Sequence, residues 1–123
     1  MDDVTRLERI VIDAVSRTHR SLGRDSSRRC YKLALTGALK GEGLRAVPDG
    51  TIREVYGDVE VLHEPEFLVE DALIVDFRTV ADRLDDSCYL ARLKYHLQLA
   101  GKRHGVFLNL AGQEVSAVLI AAG

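Results

Sequence analysis

Between Val4 and Leu22 apolar side chains return every three or four residues. Leu7, Ile10, Val11, Ala14 and Val15, with Thr18, share one helical face, while Glu8, Arg9, Asp13, Ser16 and Arg17 fall elsewhere. Thr5 followed by Glu8 has the form of a capping box, and Gly23 stands where such a helix stops. A second helix is expected from Ser26 or Ser27 toward Glu42, with Tyr31, Ala34, Leu35, Ala38 and Leu39 on one face, Gly37 as a weak point and Gly43 as the stop.

Beyond Gly43 the period shortens. Leu44 to Val47, a turn at Pro48-Asp49-Gly50 and Thr51 to Tyr56 predict strand, turn and strand, and Gly57-Asp58 turns the chain again before Val59 to His63. Phe67 to Val69 and Ala72 to Phe77 form a further predicted hairpin around Glu70-Asp71. Its second strand is almost wholly apolar, as a central strand of a sheet would be. There Ile74, Asp76 and Arg78 share one face, and Leu73, Val75 and Phe77 the other.

A third helix is expected to begin at Asp85, Asp86 or Ser87 and to end at Gly101, with Leu90, Leu93, Leu97 and Ala100 as its core stripe. Val106 to Leu110 and Val115 to Ile120 complete the chain as two strands joined across Ala111-Gly112. The order α-α-β-β-β-β-β-α-β-β predicts an α/β or α+β fold, a sheet with helices packed on it.

With 123 residues, the chain is expected to form one domain over 1–123. The longest apolar runs fall well short of a bilayer span of roughly 20 residues, and the amino terminus is acidic, so a soluble cytoplasmic protein without a membrane partner is expected. Cys30 and Cys88 form no CxxC pair and are expected as buried or half-buried free thiols.

The net charge of −2 argues against coating nucleic acid by bulk electrostatics, but it hides an asymmetry. Arg17, Arg20, Arg24, Arg28, Arg29 and Lys32 cluster in one stretch, whereas acids dominate from Glu54 to Asp86. The basic stretch is expected to pair with the acidic half; contact with phosphates is the alternative.

His19, His63, His96 and His104 lack the spacing of zinc ligands, and no phosphate loop, nucleotide fingerprint or Ser-His-Asp set is present. Tyr31 and Tyr95 are expected to pack. What remains is Glu66, ten residues before Asp76, with Arg78 two further on. Two carboxylates on adjacent strands followed by a cation suit a metal-dependent nuclease, a salt-bridged remnant of one, or ordinary surface charge.

The segment His19 to Gly23, the later Tyr31 and Leu35, the hairpin from Phe67 to Val80, the helix end Leu97 to Gly101 and the strand His104 to Leu110 resemble, in order, the bacterial GxxExxY proteins. That family belongs to the PD-(D/E)xK nuclease-like superfamily. The resemblance implies a restriction-endonuclease-like core, a mixed sheet flanked by helices, with Glu66 and Asp76 as ligands of a magnesium ion in an active member. It places Arg78 at the motif's lysine, Arg28 where the family carries an acid and Arg92 where it carries a glutamine.

A lysine there can lower its pKa and orient an attacking water, whereas arginine stays protonated. Cations at Arg28, Arg78 and Arg92 would neutralise the two carboxylates. The expectation is therefore a nuclease-like domain with a degenerate metal site, weak or inactive in phosphodiester hydrolysis and serving binding or assembly. The first alternative is an active magnesium-dependent endonuclease acting on nucleic acid through Glu66, Asp76 and Arg78. The second is a structural homo-oligomer, suggested by the apolar segment from Val115 onward.

Overall fold

Helix α1 (Asp3–Leu22) buries Leu7, Val11, Ala14 and Val15 along the stripe its spacing dictates. The computed structural model describes residues 3–48 and 51–122. Because α1 already runs through Thr5, that residue is inside the helix and does not cap it; a cap must sit before the first helical dihedrals. Helix α2 (Arg28–Gly41) is capped by Ser27, one of the two expected starts, whose hydroxyl accepts the Cys30 N–H at 3.2 Å. It buries Tyr31, Leu35 and Leu39.

Seven strands follow the predicted order: β1 (Ala46–Pro48), β2 (Ile52–Tyr56), β3 (Val59–His63), β4 (Phe67–Val69), β5 (Leu73–Arg78) and, after helix α3 (Asp86–Ala100), β6 (His104–Asn109) and β7 (Ser116–Ala121). The predicted turn between β1 and β2 includes Asp49 and Gly50, which lie outside the described residues. Five strands form the main sheet in the order β1-β4-β5-β6-β7, with β5 and β6 parallel and the other neighbours antiparallel. Only the β5–β6 connection carries a helix, α3, as a parallel pair requires.

Strand β5 is central, and its alternation sorts the core. Leu73, Val75 and Phe77 pack under α1 and α2, while Ile74 joins Tyr89, Leu93, Leu97 and Phe107 beneath α3. Each such buried aliphatic or aromatic side chain contributes up to about 1.5–3 kcal/mol. The layers are thus two helices, a sheet, and one helix.

Strands β2 and β3 pair only with each other. They stand as an arm beside α3 and leave Val55, Tyr56, Val59 and Leu62 more than half exposed. The hairpin between β4 and β5 turns at Glu70 and Asp71, both at φ +53°, a twist matching that of the flanking strands. Glu70 secures the turn by accepting the Arg45 N–H on its side chain at 2.7 Å.

Both cysteines are exposed, contrary to expectation. Each lies in the first turn of a helix beside its cap, Ser27 or Asp85, on the side facing solvent. Among the described residues no helix is long and apolar enough to cross a membrane.

Candidate active site

Pro65 and Glu66 lead into β4, and the pairing of β4 with β5 brings Glu66 beside Asp76. The Glu66 N–H donates to Asp76 Oδ1 at 3.0 Å. This single bond sets the two acidic residues ten apart in sequence at one spot in space.

Helix α2 then supplies the cations. Arg28 and Lys32, one turn apart, reach the same carboxylate: Arg28 Nη1 pairs with Glu66 Oε1, and Lys32 Nζ lies 2.6 Å from Glu66 Oε2. Arg28 also donates through Nη2 to Asp82 at 2.7 Å and to the Phe77 carbonyl at 3.0 Å. Its guanidinium lies 4.7 Å from the centre of the Phe77 ring, and the Lys32 ammonium 4.9 Å from that of Phe67. The apolar face beneath and the acids around hold Arg28 as a planar fork with both terminal nitrogens engaged.

Asp76 is fully buried. Among the described residues its second oxygen, Oδ2, has no hydrogen-bond partner, and the nearest cation is Arg92 Nη2 at 3.9 Å. Burial pushes the Asp76 carboxyl above the usual carboxylate range; the Glu66 amide and the charges of Arg92, Arg28 and Lys32 offset this only in part. Arg92 is itself stacked 4.8 Å over Tyr89.

Arg78 departs from the sequence expectation. It turns to Asp86 in the first turn of α3, at 3.0 Å, and Asn109 binds the same carboxylate at 3.1 and 3.3 Å. The acid at the start of α3 lies close to the strand end and captures the guanidinium there. Four of the five sequence-predicted site residues, Glu66, Asp76, Arg28 and Arg92, are brought together, and Arg78 is held by Asp86 instead.

Two participants escaped the sequence analysis as individual residues. Lys32 was only one member of a basic run, and Asp82 one member of an acidic stretch. A signal for Asp82 did exist in Thr79, three residues earlier. The Thr79 N–H and hydroxyl donate to Asp82 Oδ2 at 2.8 and 3.1 Å, a local turn that aims the acid at Arg28. Burial alone would raise the Asp82 pKa, but the donors from Arg28 and Thr79 outweigh it and hold the carboxyl low.

A second polar cluster joins the arm to α3. Glu54 Oε2 accepts from the Tyr56 hydroxyl at 2.6 Å and from the Tyr95 hydroxyl, and Oε1 pairs with His63 Nε2 at 3.0 Å. Tyr95 is therefore a polar clasp rather than a packing residue; it lies off the Leu93 and Leu97 stripe, at 39% exposure. His63 stacks edge-on against His96 at 5.3 Å and pairs with Glu54.

A magnesium ion requires a near-octahedral shell of hard oxygen ligands. Both oxygens of Glu66 are engaged by cations and Asp76 Oδ1 by an amide, so Asp76 Oδ2 alone is open. Among the described residues no three His, Cys, Asp or Glu side chains converge on one point. As arranged, this donor set does not fit a divalent ion.

The crystal structure of SSO0001 is similar in fold, with a TM-score of 0.59 at 14% identity over 90% of this chain. This chain spans 65% of that protein's length. An alkaline exonuclease (LHK-Exo) from Laribacter hongkongensis superposes with a TM-score of 0.47 at 14% identity, over 89% of this chain and 76% of that one. No curated protein sequence matches. A sequence profile of the PD-(D/E)XK nuclease superfamily matches residues 5–118, nearly the whole length, and with the mixed sheet and the paired hairpin acids in place the chain belongs to that superfamily.

Proposed function

We propose that this chain is a diverged relative of the GxxExxY proteins in which phosphodiester hydrolysis is weak or lost, and that it acts as a binding or assembly module. The observation that supports this most directly is the pair of cations on Glu66. Arg28 Nη1 and Lys32 Nζ occupy the two oxygens that an ion would need. Exchanging both for a dication means separating two ion pairs that are largely shielded from water, a loss the ion must offset before it binds at all. Nucleic acid is the partner class the superfamily suggests. An open recess lined by Arg28, Arg29, Lys32, Leu33 and Glu66 offers cations for phosphate contact.

Titration calorimetry with magnesium and manganese tests this reading. The expected result is no saturable binding to the protein; tight binding abolished by Asp76→Ala would refute it.

A second reading, an active magnesium-dependent endonuclease, is favoured by one observation: Asp76 Oδ2 is buried without a partner among the described residues, the condition in which proteins commonly hold a water or an ion. Cleavage assays on single-stranded, duplex and branched DNA and on RNA separate the two. Activity in the wild type that Asp76→Asn removes supports the enzyme; equal background from both proteins ends that reading.

A further inference from the structure

The main sheet has two edges, and they differ in a way that bears on association. Strand β1 is three residues long and ends in Pro48, which lacks an N–H, so that edge offers little to a partner. Strand β7 is six residues long, carries no charge and no proline, and keeps an unbroken register with β6 from His104↔Ala121 to Asn109↔Ser116. Natural edge strands are usually blunted by charge, proline or bulges, and β7 has none of these.

The direction of its backbone groups follows from one bond. The Ala122 N–H donates to the Arg103 carbonyl at 2.7 Å, so even-numbered residues of this strand turn their polar backbone toward β6. Ala117, Leu119 and Ala121 therefore aim N–H and C=O outward. Their side chains lie on the α1 face, where Leu119 borders a recess with Glu8, Arg9, Ile12 and Asp13. Ile120 and Ala122 pack on the α3 side.

We infer that β7 is a homodimer seam, pairing antiparallel with β7 of a second copy about a two-fold axis through Leu119. A two-fold perpendicular to the sheet keeps each face on its own side, so it can oppose only residues of equal parity. The odd-numbered set that points outward meets this condition. Centring on Leu119 sets Ala117 opposite the partner's Ala121 and Leu119 opposite the partner's Leu119, so that each outward residue exchanges both of its hydrogen bonds.

Other segments would have to match this edge, whereas a second copy does so by symmetry. The charges beside the seam suit a second copy: the recess at Leu119 carries both Arg9 and Asp13, opposite charges that a two-fold through Leu119 can set against their counterparts. The main sheet becomes continuous through both copies. This association is independent of whether the acid pair holds a metal.

Light scattering or sedimentation over a wide range of concentration tests it. The wild type is expected to reach twice the chain mass, while Leu119→Lys, altering a side chain 55% exposed in the single chain, stays at the single mass with an unchanged far-ultraviolet spectrum. Register is read by oxidation in a Cys30→Ser, Cys88→Ser background. Leu119→Cys would form a covalent dimer, since opposed residues of a hydrogen-bonded pair lie about 5.5 Å apart, within disulfide reach. Val118→Cys, two residues out of register with itself, would not. A wild type that stays monomeric throughout, a Leu119→Lys variant that still dimerises, or equal cross-linking at both positions would overturn the inference.

Discussion

Asp76 and His96 are both buried and titratable, and they bend the pH dependence of stability in opposite directions. Burial raises the Asp76 carboxyl, so the fold binds that proton more tightly than the unfolded chain; its contribution is present at low pH and is lost as pH rises through the folded value. Asp76→Asn keeps an acceptor for the Glu66 amide and removes the buried charge. Urea unfolding is expected to find this variant gaining on the wild type as pH rises above about 4, the ordinary aspartate value; a constant difference would contradict the raised carboxyl.

His96 is held down to about 4 by burial, then by Arg92 and His63. Between pH 6.5 and that value the unfolded chain takes a proton the fold refuses, at a cost of up to about 3 kcal/mol near pH 4. His96→Leu should remove that acid-side slope. Arg28→Ala leaves Glu66 and Asp82 without their bridging donor and is expected to destabilise by about 1–3 kcal/mol, with Arg28→Lys restoring little because an ammonium cannot span both acids. The resemblance pointed to Arg28 and Arg92 beside the acids. It gave no hint of Asp82 or Lys32, because their roles depend on where helix and loop end up.

Helix α3 shows how far local rules reach. Asp85 caps it by accepting the Cys88 N–H at 3.1 Å, and Gly101 ends it at φ +66° with its N–H on the Gln98 carbonyl. Asp85→Ala and Gly101→Ala are each expected to cost about 1 kcal/mol in chemical denaturation. The stop at Gly101 stood in the sequence, and Asp85 was one of its three candidate starts. The packing of the helix did not. Leu93 lies directly over Gly105 of β6, so close that an added Cβ would sit 3.1 Å from its side chain. Gly105→Val should force Leu93 aside and destabilise by about 1–3 kcal/mol, detected as a lowered denaturation midpoint. Nothing in the spacing of either element announces that contact.

Across the assembled fold, the main sheet with α1 and α2 forms one core and α3 with the β2–β3 arm a thinner second layer. The arm is held by the Glu54, Tyr56, His63 and Tyr95 cluster rather than by a sheet edge. Hydrogen bonds from Tyr56 and Tyr95 keep Glu54 below its usual range, so the clasp is intact above about pH 4.3, the ordinary glutamate value, and loosens as pH falls through the folded one. Glu54→Ala should speed amide exchange across residues 52–63 while the strands of the main sheet keep their protection. Uniform acceleration through both sheets would mean that the arm and core open together.

Element identity and order were legible from Val4 onward because helix stripes, strand alternation, caps and turn residues act over a few positions. The alternation within β5 even assigned Ile74 and Asp76 to one face and Phe77 to the other. What the charges around Glu66 do was not legible, since the ion pairs that settle it join residues 34 to 54 apart, Lys32 to Glu66 and Arg28 to Asp82. Electrostatic partners are chosen by distance and burial after the chain has closed on itself. Thus Glu66, Asp76 and Arg28 could be found in the sequence, while Lys32 as the second cation on Glu66 and the bare second oxygen of Asp76 appear only in the packed fold.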